Sequence, residues 1–79
     1  MFKILIAEDD VELCRLFSHV LSKNGYCVKG VSNGQEALNE LDKDYFDLII
    51  SDIMMPVMDG YELVHRLRES DNHIPVMMI

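Results

Sequence analysis

The stretch LIISDIMMPVMDG, residues 48–60, joins a short apolar run to a single carboxylate, Asp52, and then to a proline and an Asp-Gly pair. A short, nearly continuous apolar run is typical of a parallel strand that is covered on both faces. Asp59, Gly60 and Glu62 follow with the spacing of a helix N-cap and its third helical residue. The stretch therefore predicts a buried strand that ends at Asp52, a loop and a helix.

Three other segments have a strand pattern. Residues 2–7 are apolar apart from one lysine, which predicts a strand covered on both faces, and residues 74–79, IPVMMI, are wholly apolar. Residues 26–31 form a weaker run, which a lysine and a glycine interrupt as an edge strand allows. We predict four strands, with the second at an edge.

Two further helices, both amphipathic, are predicted between these strands. The first has apolar residues at three-to-four spacing and ends at Asn24-Gly25, and the second begins at Asn33 with Glu36 at the capping-box position. Helices alternating with strands imply right-handed crossovers and a parallel sheet. The predicted fold class is α/β, a doubly wound sheet of the form (βα)3β.

Composition limits the possible functions. The chain has 79 residues, enough for one small domain, and 49% of them are hydrophobic, which argues against disorder. No apolar run approaches the roughly 20 residues of a membrane span, and the start does not resemble a signal peptide. We therefore expect a cytoplasmic protein without membrane contact.

Charge and cysteine content narrow the possible partners further. The net charge of -7 comes from 14 acids against 7 scattered bases, so direct nucleic-acid binding through this segment is not expected. Cys14 and Cys27 lack a CxxC spacing, and we expect reduced packing residues rather than a metal or redox site.

Acidic residues follow two of the predicted strands. Glu8 and Asp9 come directly after the first strand, and Asp52 comes after the third. If these strands are neighbours, the carboxylates converge at the edge of a parallel sheet where ligands bind. The repulsion between these carboxylates destabilises the fold unless a cation binds between them. Mg²⁺ prefers carboxylate oxygens as ligands. Taken alone, Asp52 is better explained as a residue that ends a strand and begins a turn. Asp10 is assigned as the cap of the first helix.

Three segments carry a resemblance to a known family. ILIAEDD at residues 4–10, DLIISDIMMPVMDG at residues 47–60 and IPVMMI at residues 74–79 resemble, in order and spacing, the receiver domain of two-component response regulators. The resemblance covers residues 1–79. It implies a flavodoxin-like sheet with strand order 2-1-3-4-5, of which this chain would hold 2-1-3-4. It also implies phosphorylation of an aspartate by the phosphohistidine of a sensor kinase.

The resemblance assigns roles to individual residues. Asp52 corresponds to the phosphoacceptor, and Glu8 with Asp9 corresponds to the acidic pair that holds Mg²⁺, for which Mn²⁺ could substitute. Asp9 is expected to bind the ion directly and Glu8 through water, with the main-chain carbonyl of Met54 as a further ligand. The implied partners are a sensor histidine kinase or a phosphotransfer protein, and the implied role is signalling rather than enzymatic turnover.

The sequence also departs from the family pattern. Within residues 1–79 we find no counterpart of the switch Ser or Thr, of the fifth strand with its Lys, or of the last two helices. A partial receiver with impaired phosphorylation is therefore expected, with Pro56 and Gly60 shaping its acceptor loop. The alternative is a non-signalling truncated or engineered half-domain whose behaviour is dominated by self-assembly. An aspartate-nucleophile phosphatase would need a second acid where Met54 stands, and a flavin protein would need a phosphate-binding loop after the first strand.

The fourth strand raises the question of assembly. Residues 74–79 would form an apolar sheet edge with unpaired main-chain groups, and part of the first helix, around Leu13, Leu16, Phe17 and Val20, would be exposed. Such an edge predicts a symmetric homodimer or larger assembly. A partly molten monomer is the alternative.

Overall fold

A computed structural model describes all 79 residues, as four strands and three helices that alternate along the chain. The elements are β1 (Lys3–Ala7), α1 (Val11–Lys23), β2 (Cys27–Val31), α2 (Gly34–Lys43), β3 (Leu48–Ser51), α3 (Gly60–Glu69) and β4 (Val76–Met78). The strands form one parallel sheet in the order β2-β1-β3-β4, which confirms the predicted (βα)3β fold. None of the three helices has the length and apolar character needed to cross a membrane.

Register between the central strands sets the geometry of the sheet edge. Ala7 of β1 lies opposite Ser51 of β3, so the two strands end at the same level. The N–H of Asp52 donates to the carbonyl of Ala7 at 2.9 Å, which extends the pairing by one residue. The residues that follow β1 and β3 are therefore neighbours.

The main core lies between the sheet and helices α2 and α3. It consists of nine buried apolar residues: Leu5, Ala7, Val31, Ala37, Phe46, Ile49, Met58, Leu63 and Leu67. Alternate residues of β1, Ile4 and Ile6, are also buried and point to the opposite face of the sheet, which α1 covers. The prediction that β1 is buried on both faces is confirmed.

One half of the α1 face is open. Helix α1 packs over β1 and β2 and contains no fully buried residue. This confirms the prediction that part of its apolar side is exposed. A cavity of about 390 Å³ lies beside it, lined only by Leu16, Phe17, Val20, Leu21, Ile50, Met77 and Ile79. Ile49 and Ser51 of the predicted buried strand β3 are fully buried, whereas Leu48 and Ile50 on this side are only half-buried.

The two edge strands are β2 and β4. The regular part of β4 spans only Val76–Met78, shorter than the predicted residues 74–79, although Ile79 still donates to the carbonyl of Ser51 at 2.9 Å. Because β4 is last in the strand order, its other side has no neighbouring strand. The predicted edge position of β2 is confirmed.

Side-chain caps begin all three helices. Asp10, Asn33 and Asp59 each accept a hydrogen bond from a main-chain N–H two or three residues further on, at 2.8 to 3.2 Å. The assignment of Asp10 as a cap is thereby confirmed. The Glu36 carboxylate accepts from the N–H and hydroxyl of Ser32, one residue before the predicted capping-box donor, and these bonds lower its pKa.

Candidate metal centre

The sheet brings three carboxylates together at one edge. Glu8 and Asp9 follow β1, and Asp52 follows β3, the neighbouring strand. One carboxylate oxygen from each residue can be chosen so that all three lie within 4.8 Å of one another. The convergence expected from the sequence is therefore present, and Asp10, the helix cap, is not part of the group.

The three side chains differ in exposure. Glu8 is only 4% exposed, Asp52 is half-buried and Asp9 is exposed. The N–H of Glu8 donates to the carbonyl of Val31 at 3.0 Å, and its carboxylate accepts from the N–H of Asp10 at 3.2 Å. Glu8 thus forms the floor of the cluster, and Asp9 forms its solvent side.

The surroundings of Glu8 disfavour its ionised form. Burial raises the pKa of Glu8, and the hydrogen bond from the Asp10 N–H opposes this. The side chains of Asp9 and Asp52 raise the Glu8 pKa further, by hydrogen bonding and, for Asp52, by its charge. None of the ion pairs in the molecule includes these carboxylates, so no cationic side chain compensates them.

The donor set fits a hard divalent cation. Three carboxylates, with no histidine or cysteine among them, match the oxygen preference of Mg²⁺ and Mn²⁺ rather than that of zinc or copper. A site open to solvent on the Asp9 side also suits Mg²⁺, which keeps several of its waters. Glu8, Asp9 and Asp52 are the residues that could hold the ion.

The loop after Asp52 is closed by main-chain contacts. The N–H of Met54 lies 3.4 Å from an Asp52 carboxylate oxygen, and the N–H of Gly60 donates to the carbonyl of Ile53 at 2.9 Å. A Cβ on Gly60 would lie 2.6 Å from the carbonyl oxygen of Asp52, which explains the need for glycine there. The Met54 side chain is 76% exposed, and the role of its carbonyl as a ligand stays a prediction.

Sequence reasoning missed one contact of this loop. Met58 is buried in the core and touches Gly34 at the start of α2. Met58 is one of three methionines in this loop, with Met54 and Met55, and a loop has no periodicity that marks which of them points inward. The proline and the Asp-Gly pair of this stretch indicate a turn but not the residue that the turn contacts.

A family model for the response regulator receiver domain matches residues 4–79. The chain belongs to the response regulator receiver domain family. This confirms the resemblance noted in the sequence. The three motifs that carried the resemblance contain all three residues of the carboxylate cluster and overlap strands β1, β3 and β4.

Curated relatives agree with this assignment. The response regulator receiver protein CpdR of Brucella abortus is 42% identical to this receiver domain over 79 residues, which is 100% of this chain and 66% of that protein. A transcriptional regulatory protein CpxR homolog of Haemophilus influenzae is 40% identical over 79 residues, 34% of its length. The chain therefore spans no more than about two thirds of these relatives.

Solved structures confirm the flavodoxin-like fold. The chemotaxis protein CheY4 of Vibrio cholerae superimposes with a TM-score of 0.92 at 39% identity, over 99% of this receiver domain and 67% of that chain. The receiver domain of a signal transduction histidine kinase from Syntrophus aciditrophicus gives a TM-score of 0.94 at 41% identity, over 100% of this chain and 61% of its own.

Proposed function

We propose that Asp52 accepts a phosphoryl group from the phosphohistidine of a sensor histidine kinase or phosphotransfer protein. The observation that carries the proposal is the position of Asp52, half-buried at the end of β3 and grouped with Glu8 and Asp9. A strand that ends in a turn needs no such grouping, and three uncompensated carboxylates destabilise the fold unless a cation joins them.

The proposed chemical step is a single phosphoryl transfer. A carboxylate oxygen of Asp52 attacks phosphorus and forms a new O–P bond as the P–N bond of the donor breaks. The donor imidazole keeps the electron pair of the broken bond and takes up a proton from solvent. When Mg²⁺ is bound, it neutralises charge on the phosphoryl oxygens.

The acids of the cluster would bind the metal ion in different ways. Asp9, the most exposed of the three, would bind the ion directly, and the buried Glu8 would act through a water molecule. Asp52 and the main-chain carbonyl of Met54 would complete the protein ligands. The phosphoryl group remains covalently on Asp52 as a signal, so the domain is not a turnover enzyme.

The extent and setting of the domain are also proposed. We infer that residues 1–79 form the first part of a receiver, because the whole chain matches only 66% to 67% of receivers such as CpdR and CheY4. No lysine or arginine of the described residues pairs with Asp52, so we expect slow phosphorylation of the 79-residue polypeptide.

We expect the protein to act in the cytoplasm, with no nucleic-acid contact through this acidic segment.

A second copy of the chain is a further proposed partner. The free side of β4 and the apolar cavity beside it, next to α1, could be covered together by pairing of residues 74–79 across a two-fold axis. This assembly is compatible with signalling and does not replace it.

Intact-mass analysis after incubation with phosphoramidate and Mg²⁺ tests the acceptor directly. We expect one phosphoryl group on the wild-type chain after long incubation and none on Asp52→Asn. Asp42→Asn, which removes an exposed carboxylate of α2, should be labelled like the wild type. Labelling of Asp52→Asn at the wild-type rate would contradict the proposal.

A further inference from the structure

The loop between β3 and α3 contains a strained turn. Val57 has φ = 69°, and the N–H of Met58 donates to the carbonyl of Pro56 at 2.7 Å. A hydrogen bond between residues i and i+2 around a positive φ defines the rare form of the γ-turn, which is strained for any L-residue and most of all for a β-branched one. Strain of this kind persists only where the surrounding structure imposes it.

The turn directs Met58 into the core. Val57 is 82% exposed, whereas the next residue, Met58, is 6% exposed and belongs to the main apolar cluster. The carbonyl of Met58 also accepts a hydrogen bond from the N–H of Gly34 at 3.1 Å. Both the side chain and the main chain of Met58 are therefore fixed against the first residue of α2.

Gly34 has no room for a side chain. A Cβ at this position would lie 2.8 Å from the carbonyl oxygen of Met58 and 2.9 and 3.0 Å from its Cγ and Cβ. Gly34 is not among the residues with positive φ, so its backbone conformation alone does not require glycine. The requirement comes from the close approach of the acceptor loop.

We propose that Gly34 and Met58 are positioning residues for the acceptor loop. Their contact, together with the closure of the loop between Gly60 and Ile53, holds the segment that carries Asp52 and Met54. The inference rests on the proposed metal site, since its functional consequence is the placement of two of that site's ligands. It adds that the β2–α2 connection, through Gly34, helps to set the ligand geometry.

Magnesium affinity tests the functional part of this proposal. We expect Gly34→Ala and Met58→Ala to raise the Kd for Mg²⁺ on the order of tenfold, the usual effect of losing support behind a metal ligand. Leu41→Ala removes a partly buried side chain near the other end of α2 and controls for loss of stability. It should leave the Kd unchanged at a temperature where all variants are folded. If Gly34→Ala does not fold, Met58→Ala, which introduces no clash, tests the same expectation.

Amide NMR spectra without metal test the contact independently. We expect the resonances of residues 52–55 to move in Gly34→Ala and Met58→Ala but not in Leu41→Ala. If the wild type binds no Mg²⁺ at Glu8, Asp9 and Asp52, the proposed metal site fails, and the metal-free spectra still decide whether the contact positions the loop. Unmoved resonances, or moved resonances with an unchanged Kd in a chain that binds Mg²⁺, would overturn the proposal.

Discussion

Glu8 is a carboxylate with 4% of its surface exposed and no cationic partner. Its raised pKa means that the folded chain holds the proton more tightly than the unfolded chain does. The protein therefore loses stability as the pH rises through the window between the unfolded value, about 4.3, and the higher folded one. Above this window the ionised Glu8 opposes folding in the absence of metal.

Replacing this charge should stabilise the metal-free protein. We expect Glu8→Gln to raise the melting temperature by a few degrees at pH 7 with a chelator present, since the amide oxygen can still accept from the Asp10 N–H. The advantage should disappear below the unfolded pKa of glutamate, where Glu8 is neutral in both states. Thermal unfolding at the two pH values measures this. A lower melting temperature for Glu8→Gln at pH 7 without metal would show that the repulsion is absent.

Val57 provides a second test at a single residue. Glycine adopts a positive φ without steric penalty, so Val57→Gly should raise the free energy of unfolding by about 1 kcal/mol, the net of released strain and added chain entropy. Val11→Gly, at the exposed first residue of α1, should instead lower the free energy of unfolding. Urea denaturation of both variants distinguishes the two effects. Destabilisation by Val57→Gly would mean that the γ-turn is not strained.

At the scale of elements, β4 combines an open edge with an apolar surface. Met77 is 52% exposed and lines the cavity beside α1. We expect the 79-residue chain to dimerise and Met77→Lys to weaken the dimer, because an edge lysine opposes strand pairing. Light scattering across a concentration series measures this, with Cys27→Lys, an exposed residue of β2 at the opposite edge of the sheet, as the control. A wild-type monomer that unfolds cooperatively at high micromolar concentration would contradict the assembly.

Local sequence patterns predict the type and start of the strands and helices better than they predict burial and contacts. The run before Asp52 and the caps at Asp10, Asn33 and Asp59 predicted element types and starts correctly, because hydrogen bonds within a few residues determine them. The partial exposure of Ile50 could not be predicted, because the sequence of an apolar strand does not show whether a helix covers each of its residues. The contact of Gly34 with Met58 joins two loops and has no periodic signature.

At the scale of the whole molecule, sheet order converts two separate sequence motifs into one site. Neither Glu8-Asp9 nor Asp52 specifies a cluster alone, and only the adjacency of β1 and β3 with their matched ends brings the oxygens within 4.8 Å. The sequence could predict this because alternating strands and helices restrict the topology. The ligand geometry could not be predicted from the sequence. It depends on the conformation of the loop after Asp52 and on the residues against which that loop packs.

The dependence of Asp52 phosphorylation on Mg²⁺ and on Asp9 tests the central claim most directly. We expect phosphoramidate labelling, followed by intact mass, to be faster with Mg²⁺ than with a chelator, and Asp9→Ala to lose most of this acceleration. Asp10→Ala removes the adjacent helix cap, so it should lower stability by about 1 kcal/mol yet keep the acceleration. Labelling of Asp52 that is independent of Mg²⁺, or that depends on Asp10 rather than Asp9, would contradict the account.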